Sequence, residues 1–306
     1  MPKSKSLPQH ATVVGTYAEL QKYAQAFAAG YLNLLLVLGA PGLGKSRVIR
    51  QALGAEICWI DGNASPFGIY LAAYEHRGQP IVLDDVDGLH REKQGVRLLK
   101  SLCQTDKIKT LSWETNAPAL EARDVPRQYT TTSRLALIAN RWHSANEDVA
   151  ALEDRGHILY FDPPPLEVHR NAAQWFWDQE IFDFVASHLG LIKRHSLRVY
   201  YLAYEQKLAG LDWRREVLSR CLTGAALEVA RLKADAGFGT EEERAAAFVA
   251  AGHGCRATFF NHAKKLRTSA AVPVVQLVTT APPTEPISPV DILDILRRRH
   301  GPLGNG

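Results

Sequence analysis

The chain has 306 residues, of which 46% are hydrophobic, 8% aromatic and 22% charged. This composition is typical of a globular protein and excludes a disordered or fibrous chain, and the length is enough for two domains. The formal net charge is only +4, so a nucleic-acid-binding surface would have to be a local basic patch. The four cysteines include no CxxC pair, which argues against a zinc ribbon and a disulfide framework.

The N-terminal residues lack the apolar core of a signal peptide, and no run reaches the roughly 18 apolar residues of a membrane-spanning helix. The sequence therefore predicts a cytoplasmic protein with no membrane partner.

The first two-thirds of the chain alternate apolar strand-like runs with helical patterns, which predicts an α/β fold with a parallel sheet and crossover helices. The predicted strands cover residues 32–38, 57–60, 80–83, 135–139 and 158–161. The predicted helices cover residues 15–30, 45–53, 65–75 and 92–103. Two further β-prone pieces, residues 109–113 and 128–132, are compatible with either a β-hairpin or a surface loop.

Three consecutive prolines at 163–165 end the sheet domain, because proline cannot donate a hydrogen bond to a strand ladder. Beyond them the pattern is helical, over residues 166–179, 181–189, 196–208, 213–232, 240–251 and 256–266. Residues 271–306 are predicted to be a proline-rich linker followed by a short helix capped by Ser288.

The segment from Gly39 to Ser46 satisfies the pattern GxxxxGK[ST], and it lies between a predicted apolar strand and a predicted helix. In such a loop the backbone N–H groups surround a phosphate, the lysine reaches the β- and γ-phosphates, and the hydroxyl ligates Mg²⁺. The candidate nucleotide-binding residues are Gly39, Pro41, Gly42, Gly44, Lys45 and Ser46.

The strand at residues 80–83 ends in two acids, Asp84 and Asp85. At the tip of a strand beside a phosphate loop, Asp84 would hold the shell of a Mg²⁺ ion. Asp85 would act as general base toward the attacking water. The alternative is a strand-terminal turn capped by aspartate.

With these two motifs the sequence resembles the AAA+ ATPases over about residues 12–215. The resemblance implies a nucleotide-binding domain at 1–164, a helical lid at 165–235, ATP and Mg²⁺ as cofactors, and assembly into a ring or filament. Family members usually carry Asp-Glu where this chain has Asp84 and Asp85. The second side chain is therefore one methylene shorter, which changes the distance from the carboxylate to the attacking water.

The resemblance also implies roles for two residues near the later strands. Asn140, at the tip of the fourth strand, looks like the first sensor of the γ-phosphate. Arg155 lies where the family presents an arginine finger to the nucleotide of the next subunit, and a planar guanidinium suits the charge of the transferring phosphoryl group. The alternative for Arg155 is an ion pair with Glu153 or Asp154.

A second sensor is expected on the lid. Arg198 falls in the first turn of a predicted helix, where a cation opposes the helix dipole, and a functional contact with the γ-phosphate would explain that position. Lys193 and Arg194 are neighbouring alternatives.

Residues 236–270 resemble a helix-turn-helix. A capping box at Thr240–Glu243 begins the first helix, and the stretch from Gly252 to Ala270 contains four basic residues and no acid. Such a stretch suits contact with nucleic-acid phosphates. The alternative is a helical hairpin that packs on the lid. The candidate DNA-binding residues are Arg256, Thr258, Asn261, Lys264, Lys265 and Arg267.

Together these features predict an oligomeric, nucleoid-associated AAA+ ATPase that acts on DNA, in replication initiation, helicase loading or transposition-type regulation. One alternative is a helicase like those of superfamily 3, or a nucleotide-gated DNA-binding switch. Another is a protein remodeller that binds a partner protein through its C-terminal region.

Overall fold

A computed structural model describes residues 10–86, 93–114, 118–140, 153–176 and 178–270, together with Pro8 and Leu89. The chain divides into two compact units, one ending at Pro164 and the other beginning at Pro165. The predicted linker and helix of residues 271–306 lie outside the described residues. No helix among the described residues is both long enough and apolar enough to cross a membrane.

In its described part, the first unit contains eight strands and five helices. The strands are β1 (Thr12–Val14), β2 (Leu34–Gly39), β3 (Cys58–Asp61), β4 (Ile81–Asp84), β5 (Lys109–Ser112), β6 (Gln128–Thr131), β7 (Leu135–Ala139) and β8 (His157–Phe161). The helices are α1 (Tyr17–Ala28), α2 (Lys45–Leu53), α3 (Pro66–Glu75), α4 (Lys93–Leu102) and α5 (Pro118–Glu121).

Six of these strands form a parallel sheet in the order β1-β8-β2-β7-β4-β3. The central strand β2 is buried along its whole length, as expected for a parallel sheet covered on both faces. The predicted α/β fold class is therefore confirmed. We call the edge of the sheet where the strands begin the amino edge, and the edge where they end the carboxyl edge.

The β-prone pieces between the third and fourth predicted strands form an antiparallel pair, β5 with β6. This pair packs on α3, since the rings of Tyr70 and Tyr129 lie 5.0 Å apart. The buried hydroxyl of Tyr129 also donates a hydrogen bond of 2.7 Å to the carbonyl oxygen of Tyr70. The hairpin is thus fixed to the body of the first unit.

The second unit is helical in its described part. Its helices are α6 (Pro165–Ala172), α7 (Gln179–His188), α8 (Arg198–Leu208), α9 (Trp213–Cys221), α10 (Ala225–Ala234), α11 (Glu241–Ala250) and α12 (Arg256–Ala270).

The prediction of a single helix over residues 213–232 is wrong, because the helix is interrupted between α9 and α10. Leu222 is extended at the end of α9, and Gly224 has a φ of 56° before α10. A positive φ is compatible with glycine and stops helix propagation. The helix predicted over residues 166–179 ends earlier, at Ala172, and a new helix starts where Asp178 caps the N–H of Ile181.

Helices α10, α11 and α12 share a small apolar core. Val229, Phe248 and Phe259 are completely buried in it, and Ala263 is nearly so. The predicted capping box is present at the start of α11, where Thr240 accepts from the N–H of Glu243. Helices α11 and α12 therefore pack on α10, which lies within residues 165–235, the segment predicted as the lid.

A buried polar cluster lies elsewhere in the second unit. The hydroxyl of Tyr200 lies 2.7 Å from Nδ1 of His169 and 2.8 Å from Nε2 of His195. Burial lowers the pKa of His169 to about 3 and the pKa of His195 to about 4. Both imidazoles are consequently neutral at pH 7, and Tyr200 can donate to one and accept from the other.

Candidate nucleotide-binding site

The carboxyl ends of β2, β7 and β4 bring the predicted nucleotide-binding residues to one edge of the sheet. Strands β2 and β7 are neighbours, and the strands that follow them in sequence, β3 and β8, lie in opposite directions from this pair in the strand order. In parallel α/β sheets a crevice for a ligand forms at such a switch point. The loop after β2 turns through Gly42 and Gly44, whose φ values are 78° and 76°.

Lys45 begins α2 and is 5% exposed. Its ammonium donates to the carbonyl oxygens of Gly39 and Ala40, both at 2.9 Å, and to Oδ1 of Asn140 at 3.0 Å. The lysine of the loop and the amide at the tip of β7, 95 residues apart in sequence, therefore meet at one point.

Asp84 ends β4 and is hydrogen-bonded to the side chain of Ser46. Burial raises the pKa of Asp84, and the neighbouring carboxylates of Asp85 and Asp61 raise it further. The Ser46 hydrogen bond and the Lys45 charge act in the opposite direction on the same pKa. A hydroxyl and a partly buried carboxylate in contact form an oxygen donor pair of the kind that Mg²⁺ prefers.

Asp85 adopts a left-handed backbone conformation, with a φ of 53°. Its N–H donates to the carbonyl oxygen of Ile138 at 2.9 Å, which keeps the turn against β7. Both of its carboxylate oxygens accept from Nδ2 of Asn140, at 2.8 and 2.9 Å. Asn140 thus bridges Lys45 and Asp85.

Arg155 lies on the opposite side of the first unit, at the amino edge just before β8. Its guanidinium donates to the carbonyl oxygen of Lys100 at 3.0 Å, in the last turn of α4. A cation is favourable at a helix C-terminus, where the last carbonyls carry partial negative charge. The structure therefore does not bring Arg155 to the Lys45 site of its own chain.

Arg198 belongs to the second unit, where it is the exposed first residue of α8. Its N–H donates to the hydroxyl of Ser196 at 3.3 Å. Its predicted role as a second sensor stays a prediction, as do the roles of the neighbouring Lys193 and Arg194.

The predicted DNA-binding residues all lie on α12. Phe259 and Ala263 are buried on one side of this helix, while Asn261, Lys264 and Lys265 are exposed on the other. Arg267 is also exposed, and Thr258 is half-buried. Arg256 forms two hydrogen bonds to the carboxylate of Glu242, at 2.6 and 3.0 Å, and so has an acidic partner on α11.

Two residues beside the candidate nucleotide-binding site, Tyr17 and Asp61, were not predicted from the sequence. The hydroxyl of Tyr17 donates to the carbonyl oxygen of Leu43 at 2.9 Å, which ties the start of α1 to the phosphate loop. Asp61 ends β3 in register with Asp84. A carboxylate at a strand end was a usable signal for Asp61, whereas no local pattern identifies Tyr17.

Comparison with known proteins gives one curated relative and several solved structures. No family model matches the chain. A segment of 120 residues is 28% identical to an uncharacterized 36.7 kDa protein of the nrdC-mobD intergenic region of Enterobacteria phage T4. The match covers 36% of this chain and 37% of the phage protein.

Among solved structures, PCH-2 of C. elegans aligns over 66% of each chain with 13% identity and a TM-score of 0.34. The DNA clamp loader delta protein of Bacillus subtilis aligns over 86% of this chain and 88% of its own, with 11% identity and a TM-score of 0.30. Likeness at this level identifies neither a family nor an activity for this chain.

Proposed function

We propose that the protein binds ATP with Mg²⁺ at the carboxyl edge and hydrolyses it. The observation that supports this most strongly is the bridge made by Asn140, which joins the phosphate-loop lysine to the carboxylate of Asp85. The bridge links a cation for the phosphates and a carboxylate for the attacking water through an amide between them.

The residues present fit a Mg²⁺ ion. Ser46 and Asp84 would hold it, since hydroxyl and carboxylate oxygens are hard ligands. A buried carboxylate beside two others is costly unless a cation is near, and the raised pKa of Asp84 reflects that cost. When bound, the ion would neutralise the charge that develops on the phosphate oxygens.

Lys45, Asp85 and Asn140 then each have a separate role in the reaction. Lys45 binds the β- and γ-phosphates, together with the backbone N–H groups of the loop. Asp85 accepts a proton from the attacking water, and Asn140 orients both that water and the Asp85 carboxylate. Lys45 and Asn140 require no proton transfer, so Asp85 is the only group at this bridge whose protonation state changes during the step.

The position of Arg155 supports a role for this residue between subunits. Strand β8 has five residues, which corresponds to about 16 Å from the amino edge to the carboxyl edge. An arginine side chain reaches about 7 Å along its extended length at bond distances of ~1.5 Å, so Arg155 cannot contact phosphates bound at its own Lys45. We therefore assign it to the nucleotide of a neighbouring copy, where its charge would stabilise the transferring phosphoryl group.

The exposed basic side of α12 supports DNA as the macromolecule on which the ATPase acts. Lys264, Lys265 and Arg267 are exposed, and no carboxylate is present between Gly252 and Ala270. A DNA-dependent process such as replication initiation, helicase loading or transposition-type regulation would use this side, and Arg198 would couple the second unit to the nucleotide. A nucleotide-gated switch would bind DNA without DNA-stimulated turnover, and a protein remodeller would show neither.

Phosphate release from ATP, measured with and without Mg²⁺ and with and without duplex DNA, tests this function. We expect Mg²⁺-dependent turnover that rises with DNA. Lys45→Ala should lose ATP binding in a fluorescent-nucleotide titration, because the variant lacks the ammonium that contacts the phosphates. Unchanged ATP affinity in Lys45→Ala would contradict the nucleotide site itself.

A further inference from the structure

A short connection in the second unit carries two adjacent cations between buried neighbours. This connection, residues 189–197, joins α7 to α8. Ile192 and His195 are buried. Lys193 and Arg194, which lie between them, are exposed. The chain is therefore anchored on both sides of the pair, and the two charged side chains are held at the surface of the second unit.

Hydrogen bonds fix the connection on both sides of the pair. The N–H of Ile192 donates to the carbonyl oxygen of Leu189 at 3.2 Å, in a turn that directly follows α7. On the other side, Nε2 of His195 lies 2.8 Å from the hydroxyl of Tyr200, which belongs to α8. A backbone that is already ordered loses little conformational entropy when its side chains bind a ligand.

Helix α12 lies beside this connection, because it packs on α7, the helix that leads into the connection. His262 of α12 is half-buried. Burial lowers the pKa of His262, and the charges of Lys265 and Lys193 lower it further. One imidazole is thus within electrostatic reach of a lysine of α12 and a lysine of the connection. The two lysines therefore belong to one surface of the second unit.

The two segments that meet at this surface are basic and contain no acid. Residues 184–204 include three lysines or arginines and no aspartate or glutamate, and residues 252–270 include four and none. Arg256, at the start of α12, is hydrogen-bonded to Glu242 of α11. The excess of positive charge consequently lies in the connection and in the second half of α12.

We propose that Lys193 and Arg194 form a second DNA-contacting element, which binds backbone phosphates of the duplex that lies on α12. This inference rests on the proposed function, in which α12 lies on DNA, and it adds a contact outside the helix-turn-helix-like region. It also gives these two residues a role other than sensing the γ-phosphate. Ammonium and guanidinium groups bind phosphate oxygens without reading the base sequence, so the element would add affinity and fix orientation.

The arrangement of the cations suits a duplex better than a single anion. Lys265 is three residues from His262 on α12 and therefore lies about 60° from it around the helix axis, on the side of Lys193. Lys264 is two residues from His262 and lies about 160° from it. Cations on two flanks of one helix suit a polyanion that passes on both sides, as the walls of the major groove do at a width of roughly 12 Å.

Fluorescence anisotropy of labelled duplex DNA at three salt concentrations tests the proposal on the full chain. The connection variant is Lys193→Ala combined with Arg194→Ala. A second variant, Lys193→Arg combined with Arg194→Lys, keeps both charges. Arg215→Ala combined with Arg220→Ala is the control, because it removes two exposed cations from α9 and changes the net charge by the same amount as the connection variant.

We expect the connection variant to reduce the slope of log affinity against log salt concentration by about two, because each lost phosphate contact releases close to one counterion fewer. The charge-keeping variant and the control should retain the parent's slope. A parental slope in the connection variant would overturn the proposal. An equal reduction in the control would also overturn it, because the slope would then follow net charge and not the position of the cations.

A titration of fluorescent ATP on the same samples separates this inference from the second-sensor role and from the proposed function. Unchanged ATP affinity in the connection variant, together with the reduced salt slope, supports the DNA contact. Lower ATP affinity with a parental salt slope would overturn it in favour of a nucleotide contact. A parent that binds ATP but not duplex DNA would overturn this inference together with the DNA role of the proposed function. A parent that binds DNA but not ATP would contradict the nucleotide site alone.

Discussion

Asp85 combines backbone strain with a constrained side chain. A left-handed conformation costs an aspartate about 1 kcal/mol or more, and such strain is retained where the surroundings fix it. Here the N–H bond to Ile138 and the two bonds from Asn140 fix it. The conformation places the Asp85 carboxylate within hydrogen-bond distance of the same amide that contacts Lys45.

Asp85→Asn is expected to bind ATP as the parent does and to reduce turnover at least 100-fold, the order of a general-base contribution. An amide cannot take the proton of the attacking water, although it keeps the size of the side chain. Phosphate release and a nucleotide titration on the same preparation measure the two effects. Asp162→Asn, an exposed aspartate after β8 at the same edge, is the control and should retain turnover. Parental turnover in Asp85→Asn would show that another group is the base.

The buried imidazoles of the second unit predict a pH dependence of stability. Burial lowers the pKa values of His169 and His195 in the folded protein to about 3 and about 4. Below the unfolded pKa of about 6.5 the unfolded chain binds protons that the folded chain does not, so the free energy of unfolding falls as the pH falls. For each group the loss approaches about 1.4 kcal/mol per pH unit in the middle of that window and is smaller near either pKa.

His195→Gln should keep a hydrogen-bonding partner for Tyr200 and remove one titrating group. We expect urea unfolding of this variant, followed between pH 6.5 and pH 4.5, to show an average slope against pH that is smaller than the parent's by about 1 kcal/mol per pH unit. For each protein, the free energy of unfolding at pH 7 is the reference for its own curve. Identical slopes in the two proteins would mean that His195 is accessible to protons in the folded state.

At the scale of elements, the sequence predicted those whose pattern is long and continuous. Residues 135–139 were predicted as a strand and form β7 with the same bounds. A short uninterrupted apolar run is typical of a strand buried in a parallel sheet. Strand β1 has three residues, two of them exposed, which is too short for any periodicity. The break at Leu222–Gly224 was missed because apolar residues on both sides keep helical spacing across it.

The residues of the phosphate loop and the acids after β4 could also be predicted, since their spacing is fixed by local geometry. The contacts between these residues and distant parts of the chain could not be predicted from the sequence. The bond from Asn140 to Asp85 joins residues 55 apart, and the bond from Tyr17 to Leu43 joins residues 26 apart. Such pairs depend on which strands become neighbours in the sheet, and a local pattern does not contain that information.

Helix α12 provides a prediction for DNA binding. Lys264→Ala with Lys265→Ala should reduce the slope of log affinity against log salt concentration by about two, because each lost phosphate contact releases close to one counterion fewer. Fluorescence anisotropy with duplex DNA at three salt concentrations measures the slope. The control, Arg215→Ala with Arg220→Ala, removes two exposed cations from α9 and the same net charge. A parental slope for the lysine variant, or an equal change in the control, would mean that α12 does not lie on DNA.

At the scale of the whole molecule, the proposed site is divided between two chains. The phosphate loop, Asp85 and Asn140 lie at the carboxyl edge, and Arg155 lies at the amino edge on the carbonyl oxygen of Lys100. Within one chain the sheet separates these groups, whereas the proposed assembly with a neighbouring copy would join them. Hydrolysis should accordingly depend on the neighbour, and a neighbour's residue can be replaced without changing the chain that holds the nucleotide.

Mixing two inactive variants tests this dependence. Arg155→Gln keeps N–H donors for the Lys100 carbonyl but lacks the charge, so it should bind ATP and hydrolyse it poorly. Asp85→Asn chains retain Arg155, and at interfaces where they face Arg155→Gln chains they complete a site with an intact base and an intact guanidinium.

In an equimolar random mixture one interface in four has this arrangement, so turnover should recover to about a quarter of the parent's rate. When the mixing ratio is varied at constant total protein concentration, turnover should be greatest near equal concentrations of the two variants. The double variant Arg155→Gln with Asp85→Asn, added in place of either partner, is the control and should restore nothing, because it offers neither group. If the mixture assembles by sedimentation and its turnover equals the sum of the two separate variants, Arg155 does not act on the neighbouring nucleotide.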